Sequence, residues 1–495
     1  MSSPPHRSSL LARLAPRRLA LAAVALLLIL LAWWGLLGAG RGLDSRRLSG
    51  ANGEPLRFLA PADATGVPGV IIAHGFSGST PFMLGFGQIL ARAGYGVMLL
   101  DFDGHGSARV RLDDNSLPRN LDAAYVALIA QPEIDPARVA LLGHSMGSGA
   151  VMTAGIDAPE RYRAIVAVSP TGAAVTPDAP RNLLLMAGSL EPQFLSNARD
   201  LLARAGGPND DLSAGLGRAL VEVPNVEHIT ILFSRTARQA ALDWLNNVFS
   251  LPPVEVGPDR RMVWLGVHLG AWFLLLWAVA PRLPAVEPDT ANRRRPWHWL
   301  GLAVGALVAA AALFLAGRLF DAGRLGGLLV GGALGLWFLA AGLVWLLSGF
   351  RLSRPVAADV AWGGLLFLFL SLALGAMSQV TWLPWLLIVE RLARWPFLAA
   401  AVLPFLLASA LAQHGARPAA RAGWWLLQSA VVLAGLGLTI ALSPDLFFIA
   451  LLLPVFPVIL GIMGLAGAAL GRPWAVAIGN ALFLGWLLVA VFPLA

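Results

Sequence analysis

From Met262 to Leu494 the chain is a succession of apolar runs separated by short loops that carry arginine. The runs fall near 262–281, 298–320, 325–349, 357–377, 395–413, 423–443, 446–470 and 473–494. A helix needs about 20 apolar residues to cross roughly 30 Å of hydrocarbon, and lipid forces every backbone polar group to bond within its own segment. This half of the chain is therefore expected to be an all-α polytopic membrane domain, 262–495. One more run, Leu19–Ala39, lies near the N terminus behind Arg7, Arg13, Arg17 and Arg18. It is longer than the ~7–15-residue core of a cleaved signal. It is expected to be an uncleaved anchor (19–40) behind a cytoplasmic Arg-rich tail (1–18), bringing the total to nine spans. Thr381–Arg394 is too short and too charged at its end to cross, and reads as an interfacial or re-entrant helix.

All 36 basic residues are arginine, and the net charge is +8. With nine spans, the N-terminal arginines, Arg282, Arg293–Arg295, Arg351, Arg354, Arg417, Arg421 and Arg472 fall on one side. Arg318, Arg324, Arg391 and Arg394 fall on the other. This bias predicts a cytoplasmic N terminus and places residues 50–250 outside. The arginines flank apolar spans rather than forming a basic stripe with interleaved aromatics, so no nucleic-acid partner is expected. Cysteine is absent, which excludes disulfides and thiolate chemistry.

Residues 50–250 have the charge spacing of a globular domain, and 251–261, rich in Pro and charge, read as a linker. Near-continuous apolar strands alternate with amphipathic helices. Strands are expected at Gly69–Phe76, Tyr95–Asp103, Arg138–Ser145, Ala164–Pro170, Asn182–Gly188 and Ala219–Asn225. Helices are expected at Pro81–Gly94, Leu121–Ala130, after Ser145 and near Thr230–Val248. Such alternation implies right-handed crossovers and an α/β fold with a doubly wound, mostly parallel sheet. Chemistry in such sheets sits at the carboxyl ends of the strands. Ser145 is at one, in Gly143-His144-Ser145-Met146-Gly147, which matches G-x-S-x-G. Flanking glycines leave room for a tight strand-to-helix turn that lifts a serine hydroxyl clear of the sheet.

Three motifs in order resemble those of the α/β-hydrolases: "HGFSGS" (His74–Ser79), "DFDGHGSA" (Asp101–Ala108) and "GHSMGS" (Gly143–Ser148). The resemblance covers about Gly66 to Phe249 and implies a serine hydrolase related to esterases and dienelactone hydrolases. It implies Ser145 as nucleophile and His228, in "NVEHIT", as base. Glu191 takes the slot where the family usually places Asp, with Asp178 and Asp200 as fallbacks. Backbone N–H groups of Phe76 and Met146 are the expected oxyanion donors, supported by His74, Gly75, Gly143 and Gly147. His74 and His105 are expected to structure loops, His144 to pack, and Glu227 to be solvated. No cofactor or metal is expected. Residues 171–181 leave no room for a large cap, so the site is either open or covered by the membrane domain.

The chemistry implied is cleavage of an ester, thioester or related acyl bond in a small-molecule or lipid substrate. Acyl transfer onto a lipid or glycan and serine peptidase activity use the same groups. A non-catalytic sensor or transport accessory is the reading from another class. Within the spans lie His268 and the amide residues Gln428 and Asn480, and interhelical hydrogen bonding accounts for them; Asp359 and Glu390 lie near span ends. The oligomeric state and natural substrate are not legible.

Overall fold

The computed structural model describes residues 16–283, 285–286 and 297–495. The expected tail arginines Arg7 and Arg13, and Arg293–Arg295, lie outside the described residues. The chain divides into two units.

The first unit contains Leu36–Met262 together with Ser378–Ile388 and Pro493–Ala495. Its centre is an eight-stranded sheet. The strands are β1 (Leu43–Ser49), β2 (Pro55–Pro61), β3 (Val67–Ala73), β4 (Gly96–Leu100), β5 (Ile134–His144), β6 (Ala164–Val168), β7 (Leu183–Gly188) and β8 (Arg218–Val223). Their order is β1-β2-β4-β3-β5-β6-β7-β8. From β4 to β8 all neighbours are parallel, while β1 and β2 add an antiparallel edge. The six parallel strands match the apolar runs of the sequence. The edge hairpin was not anticipated, because "LDSRRLS" and "PLRFLAP" are short and polar or proline-bounded.

Strand side chains point alternately to the two faces. Ile71, Met98 and Leu141 feed one core, roofed by α3 (Ser116–Ile129), α4 (Met146–Asp157) and α5 (Pro192–Arg204). Val70, Ile72, Leu99 and Leu142 feed the other, roofed by α2 (Thr80–Arg92) and α6 (Arg235–Phe249). Burial on both faces explains why these strands read as unbroken apolar runs.

Ser378–Ile388 joins this unit through specific bonds. Ser79 Oγ donates to the Trp382 carbonyl at 3.3 Å. Arg261 Nη1 donates to the carbonyls of Pro81 (2.9 Å) and Thr381 (3.3 Å), while its guanidinium pairs with Asp259 at 2.8 Å. Both charges of that pair are buried. At the C-terminal end Leu494 N donates to Gly104 O (2.8 Å) and Leu112 N to Leu494 O (3.2 Å).

The second unit is helical. Among the described residues, seven helices are long and apolar enough to cross a membrane. They are α1 (Pro16–Gly38), α7 (Arg261–Arg282), α8 (His298–Leu319), α10 (Ala357–Thr381), α11 (Val389–Gln413), α12 (Pro418–Leu442) and α14 (Pro473–Val491). These helices are compatible with a multi-pass membrane protein. Two expected spans differ. The run 325–349 yields only α9, Gly331–Leu347, because Gly326 and Gly327 take positive φ and Val330 has φ 66°. The run 446–470 is broken: Pro444–Leu452 and α13 (Val455–Ala468) meet at a 52° bend. Pro454 and Pro457 lack the N–H that would continue the ladder. With the bent pair taken as one, the described residues hold eight helices of spanning length and composition, where the sequence suggested nine spans.

The expected interfacial helix Thr381–Arg394 also differs. Its first half belongs to the sheet-bearing unit, and Val389 onward is the start of α11. Arg391 is buried and donates to the carbonyls of Val489 and Phe492 (2.7 Å for the latter). It thereby satisfies the orphan carbonyls that end α14.

Candidate active site

Ser145 sits between β5 and α4 with φ 52° and ψ −120°, a backbone conformation that a side chain rarely tolerates. The turn is held because its neighbours are glycine. A Cβ on Gly143 would lie 2.2 Å from the Gly147 carbonyl oxygen, and one on Gly147 would lie 2.5 Å from the His74 carbonyl oxygen. Ser145 N donates to Val168 O at 2.9 Å, pinning the turn to β6.

Three side chains distant in sequence then meet. Ser145 Oγ lies 3.0 Å from His228 Nε2, and His228 Nδ1 lies 2.9 Å from Glu191 Oε2. All three residues are less than one-tenth exposed. With Nδ1–H donating to the carboxylate, Nε2 is left to accept the hydroxyl proton. Glu191 is the residue immediately before α5, and its other oxygen accepts from Ser169 Oγ (2.7 Å) and Gly188 N (2.6 Å). The carboxylate is thus oriented from three directions. Phe194 stacks on the imidazole, with centroids 4.2 Å apart.

Of the fallback acids, Asp178 and Asp200 are exposed, and the carboxylate that meets His228 is that of Glu191. Glu227 accepts from Ile229 N and Thr230 N and shapes the loop that carries His228.

The loop after β3 abuts the serine. A Cβ on Gly75 would lie 2.9 Å from Ser145 Cβ, so only glycine permits this approach. Phe76 follows directly, and Met146 is the first residue of α4. His74 is fully buried. Its Nδ1 donates to Gly75 O (2.8 Å) and its Nε2 accepts from Phe102 N (3.1 Å), a neutral tautomer that ties the two loops together. Burial is the main cause that lowers its pKa, opposed by the nearby Asp101. Asp101 in turn accepts from Thr80 N and Ser107 N. His105 Nδ1 donates to Asp103 O at 2.9 Å. His144 Nε2 donates to the His228 carbonyl at 2.9 Å and fixes that residue's backbone. Burial holds its pKa well below the usual histidine value, and the adjacent His228 adds to this. The three accessory histidines are therefore loop and backbone anchors.

Ser169, Phe194 and the Gly188 amide escaped sequence reasoning. Ser169 carries one weak signal, its place at the end of β6 in "AVSP"; its φ of 47° and its bond to Glu191 exist only in the folded chain. The Trp382 segment escaped for a different reason: it lies more than two hundred residues further along the chain.

Comparison with known proteins agrees with this architecture. Residues 67–205 match the family described as serine aminopeptidase, S33. Over 123 residues the chain is 37% identical to the dihydrolipoyllysine-residue acetyltransferase component of the acetoin cleaving system of Cupriavidus necator, covering 25% of this chain and 32% of that protein. Over 161 residues it is 30% identical to an uncharacterized protein of Mycobacterium tuberculosis, covering 31% of this chain and 57% of that protein. The chain thus spans less than two thirds of either relative. Among solved structures, a dienelactone hydrolase from Anabaena variabilis is 21% identical, with a TM-score of 0.34, and covers 42% of this chain and 99% of its own. A mutant of the esterase E40 is also 21% identical with a TM-score of 0.34, covering 43% of this chain and 85% of its own. The family match over 67–205 and the strand order together identify the sheet-bearing unit as an α/β-hydrolase domain, in a chain whose remainder is apolar helix.

Proposed function

We propose that the protein is a membrane-anchored serine hydrolase that cleaves an ester, thioester or related acyl bond through an acyl-enzyme. The observation that carries this reading is the series Ser145 Oγ, His228 Nε2, His228 Nδ1, Glu191 Oε2, linked at 3.0 and 2.9 Å. His228 takes the Ser145 proton as Oγ attacks the acyl carbon. The backbone N–H groups of Phe76 and Met146 hold the developing oxyanion; one such donor is worth ~10²–10³ in turnover. Protonated His228, stabilised by Glu191, gives its proton to the leaving oxygen or sulfur. Water, deprotonated by the same imidazole, then attacks the acyl-enzyme, and Ser145 regains its proton as the acid leaves.

An amphiphilic acyl substrate suits the apolar segment that adjoins the oxyanion loop. Trp382 is bonded to Ser79, three residues beyond Phe76, and Leu386 is 73% exposed. The S33 family description keeps peptide bonds among the substrates to be tried.

We also propose that the hydrolase domain lies outside the cytoplasmic membrane. Arginine placement supports this. Parity supports a further point: Ser378–Ile388 and Pro493–Ala495 belong to the same unit as the sheet, so an even number of crossings must separate each from the sheet. That holds when α7, α8, α9 and α10 all cross, and again for α11, α12, the bent pair and α14. The short helix α9 then counts as a span.

A fluorophosphonate probe applied to membranes should label the wild type and not Ser145→Ala. Equal labelling of both, or none in folded wild-type protein, would refute the nucleophile assignment. A reporter fused near Gly257 should behave as external; a cytoplasmic signal would reverse the topology.

A further inference from the structure

The helical unit contains a hollow where α11 and α13 end and α12 and α14 begin. It opens to its surroundings. Hydrocarbon-facing helices have no need of polar groups, yet this hollow gathers Ser409, Gln413, His414, Arg421, Gln428 and Asn480, and no carboxylate among the described residues lines it. Polar residues at membrane depth are costly and mark sites of binding or transport.

Gln428 and Asn480 are 3% and 6% exposed. Gln413 Nε2 donates to Ser409 Oγ at 3.0 Å, and Ser409 Oγ donates to Gln428 Oε1 at 2.7 Å. That relay occupies the Gln428 oxygen and leaves its Nε2 donor with no partner among the described residues. Asn480 Oδ1, an acceptor, is likewise without one. Leaving such buried groups unmade is costly, so each calls for a partner. Arg421 is anchored by a bond from Nε to Ala416 O at 3.1 Å, which leaves the far end of its guanidinium to meet a ligand. Gln428 lies seven residues beyond Arg421 in α12, about 10 Å deeper at 1.5 Å per residue. Asn480 lies seven residues into α14 from Pro473 and lines the same hollow. The hollow is therefore lined by a cation, an unmet donor and an unmet acceptor.

A lone anion would satisfy Arg421 and Gln428 but not the Asn480 oxygen. We propose that the hollow binds a phosphate ester that carries its own N–H or O–H donor. The phosphate oxygens take hydrogen bonds from Arg421, whose planar donors suit them, and from Gln428 Nε2. The hydroxyl or ammonium of the same head group donates to Asn480 Oδ1. Two sources share this chemistry, a membrane lipid such as phosphatidylglycerol and a water-borne ester such as glycerol 3-phosphate. Phosphatidylcholine offers the phosphate without a donor and should bind poorly.

The test uses the full chain in detergent, stripped of lipid, with binding followed by native mass spectrometry. Phosphatidylglycerol, phosphatidylcholine and glycerol 3-phosphate are titrated separately. Phosphatidylglycerol or glycerol 3-phosphate should bind at least tenfold more tightly than phosphatidylcholine. Arg421→Gln should weaken that binding tenfold or more, and Asn480→Leu should abolish the preference over phosphatidylcholine. Arg417→Gln, one turn earlier and not lining the hollow, should change neither. The arm that binds names the source. Equal affinity for phosphatidylcholine, no binding of either ester, or equal losses in Arg417→Gln and Arg421→Gln would overturn the proposal; in the second case water alone fills the hollow. Each variant is scored only if it elutes and melts like the wild type. Should Asn480→Leu fail this, Asn480→Ala takes its place, with the same loss of preference expected.

Discussion

The same class of residue points in opposite directions in the two units. In β3, Val70, Ile71 and Ile72 are wholly buried and feed two cores in alternation. In α1, Leu27 and Leu30 are 65% and 68% exposed. Where water is the solvent, apolar side chains must find each other. Where hydrocarbon is the solvent, they need not, and polar groups turn inward instead. The contrast extends to the polar sites. In the hydrolase domain Ser145, His228 and Glu191 satisfy one another in series. In the hollow Gln428 Nε2 and Asn480 Oδ1 await a partner.

The largest effect that would break this contrast concerns the self-satisfied site. Ser145→Ala should reduce turnover of an activated ester on the order of 10⁴–10⁶-fold, measured against wild type with the secondary structure unchanged. Glu191→Gln keeps the shape but no longer supports the imidazolium, and should cost about 10⁴ in kcat. Ser169→Ala removes only one of the bonds that aim Glu191; a net loss of about 1 kcal/mol corresponds to a several-fold fall in kcat. If Glu191→Gln retained full activity, a different carboxylate would have to serve.

Core substitutions sharpen the same comparison in stability. Leu142→Ala empties a fully buried site and should destabilise the hydrolase domain by about 2–5 kcal/mol, read as a fall in its melting temperature. Leu30→Ala, on the exposed face of α1, should move that temperature little. Comparable losses from the two would mean that α1 packs like a core helix.

A smaller effect is set by pH. His74 and His144 are buried and neutral, with pKa values below that of an exposed histidine. The unfolded chain takes up their protons first as pH falls through about 6.5. Unfolding therefore binds protons in that window, and the stability these residues contribute is full above it and declines below it. The slope is at most about 1.4 kcal/mol per pH unit for each residue. Melting temperatures between pH 7.5 and 5.5 should fall, and His144→Asn should flatten the decline by one proton's worth. A melting curve that rose on acidification would contradict the neutral assignment of both rings.

Much of this was readable along the chain. Apolar runs of strand length revealed the parallel core because burial on both faces leaves no room for polar residues. Runs of span length revealed the helices because lipid imposes a minimum length. Gly143, Ser145 and Gly147 announced a tight turn because only small residues fit there. The antiparallel β1–β2 edge was hidden, since an edge strand is only half-buried and its pattern is weak. The break at Pro454 and the late start of α9 were hidden too, because an apolar composition does not report where the backbone turns.

Local order thus decided which segments are strands, which are spans, and where the serine sits. Only the folded chain decided that Ser169 steadies Glu191, that Phe194 stacks on His228, and that Trp382 and Leu494 belong to the hydrolase domain. It also decided that Ser409 occupies one end of Gln428 and leaves the other end unmet. Periodicity and turn chemistry act over a few residues and are written in the sequence order. Contacts between distant segments depend on how whole elements pack, and no local pattern encodes them.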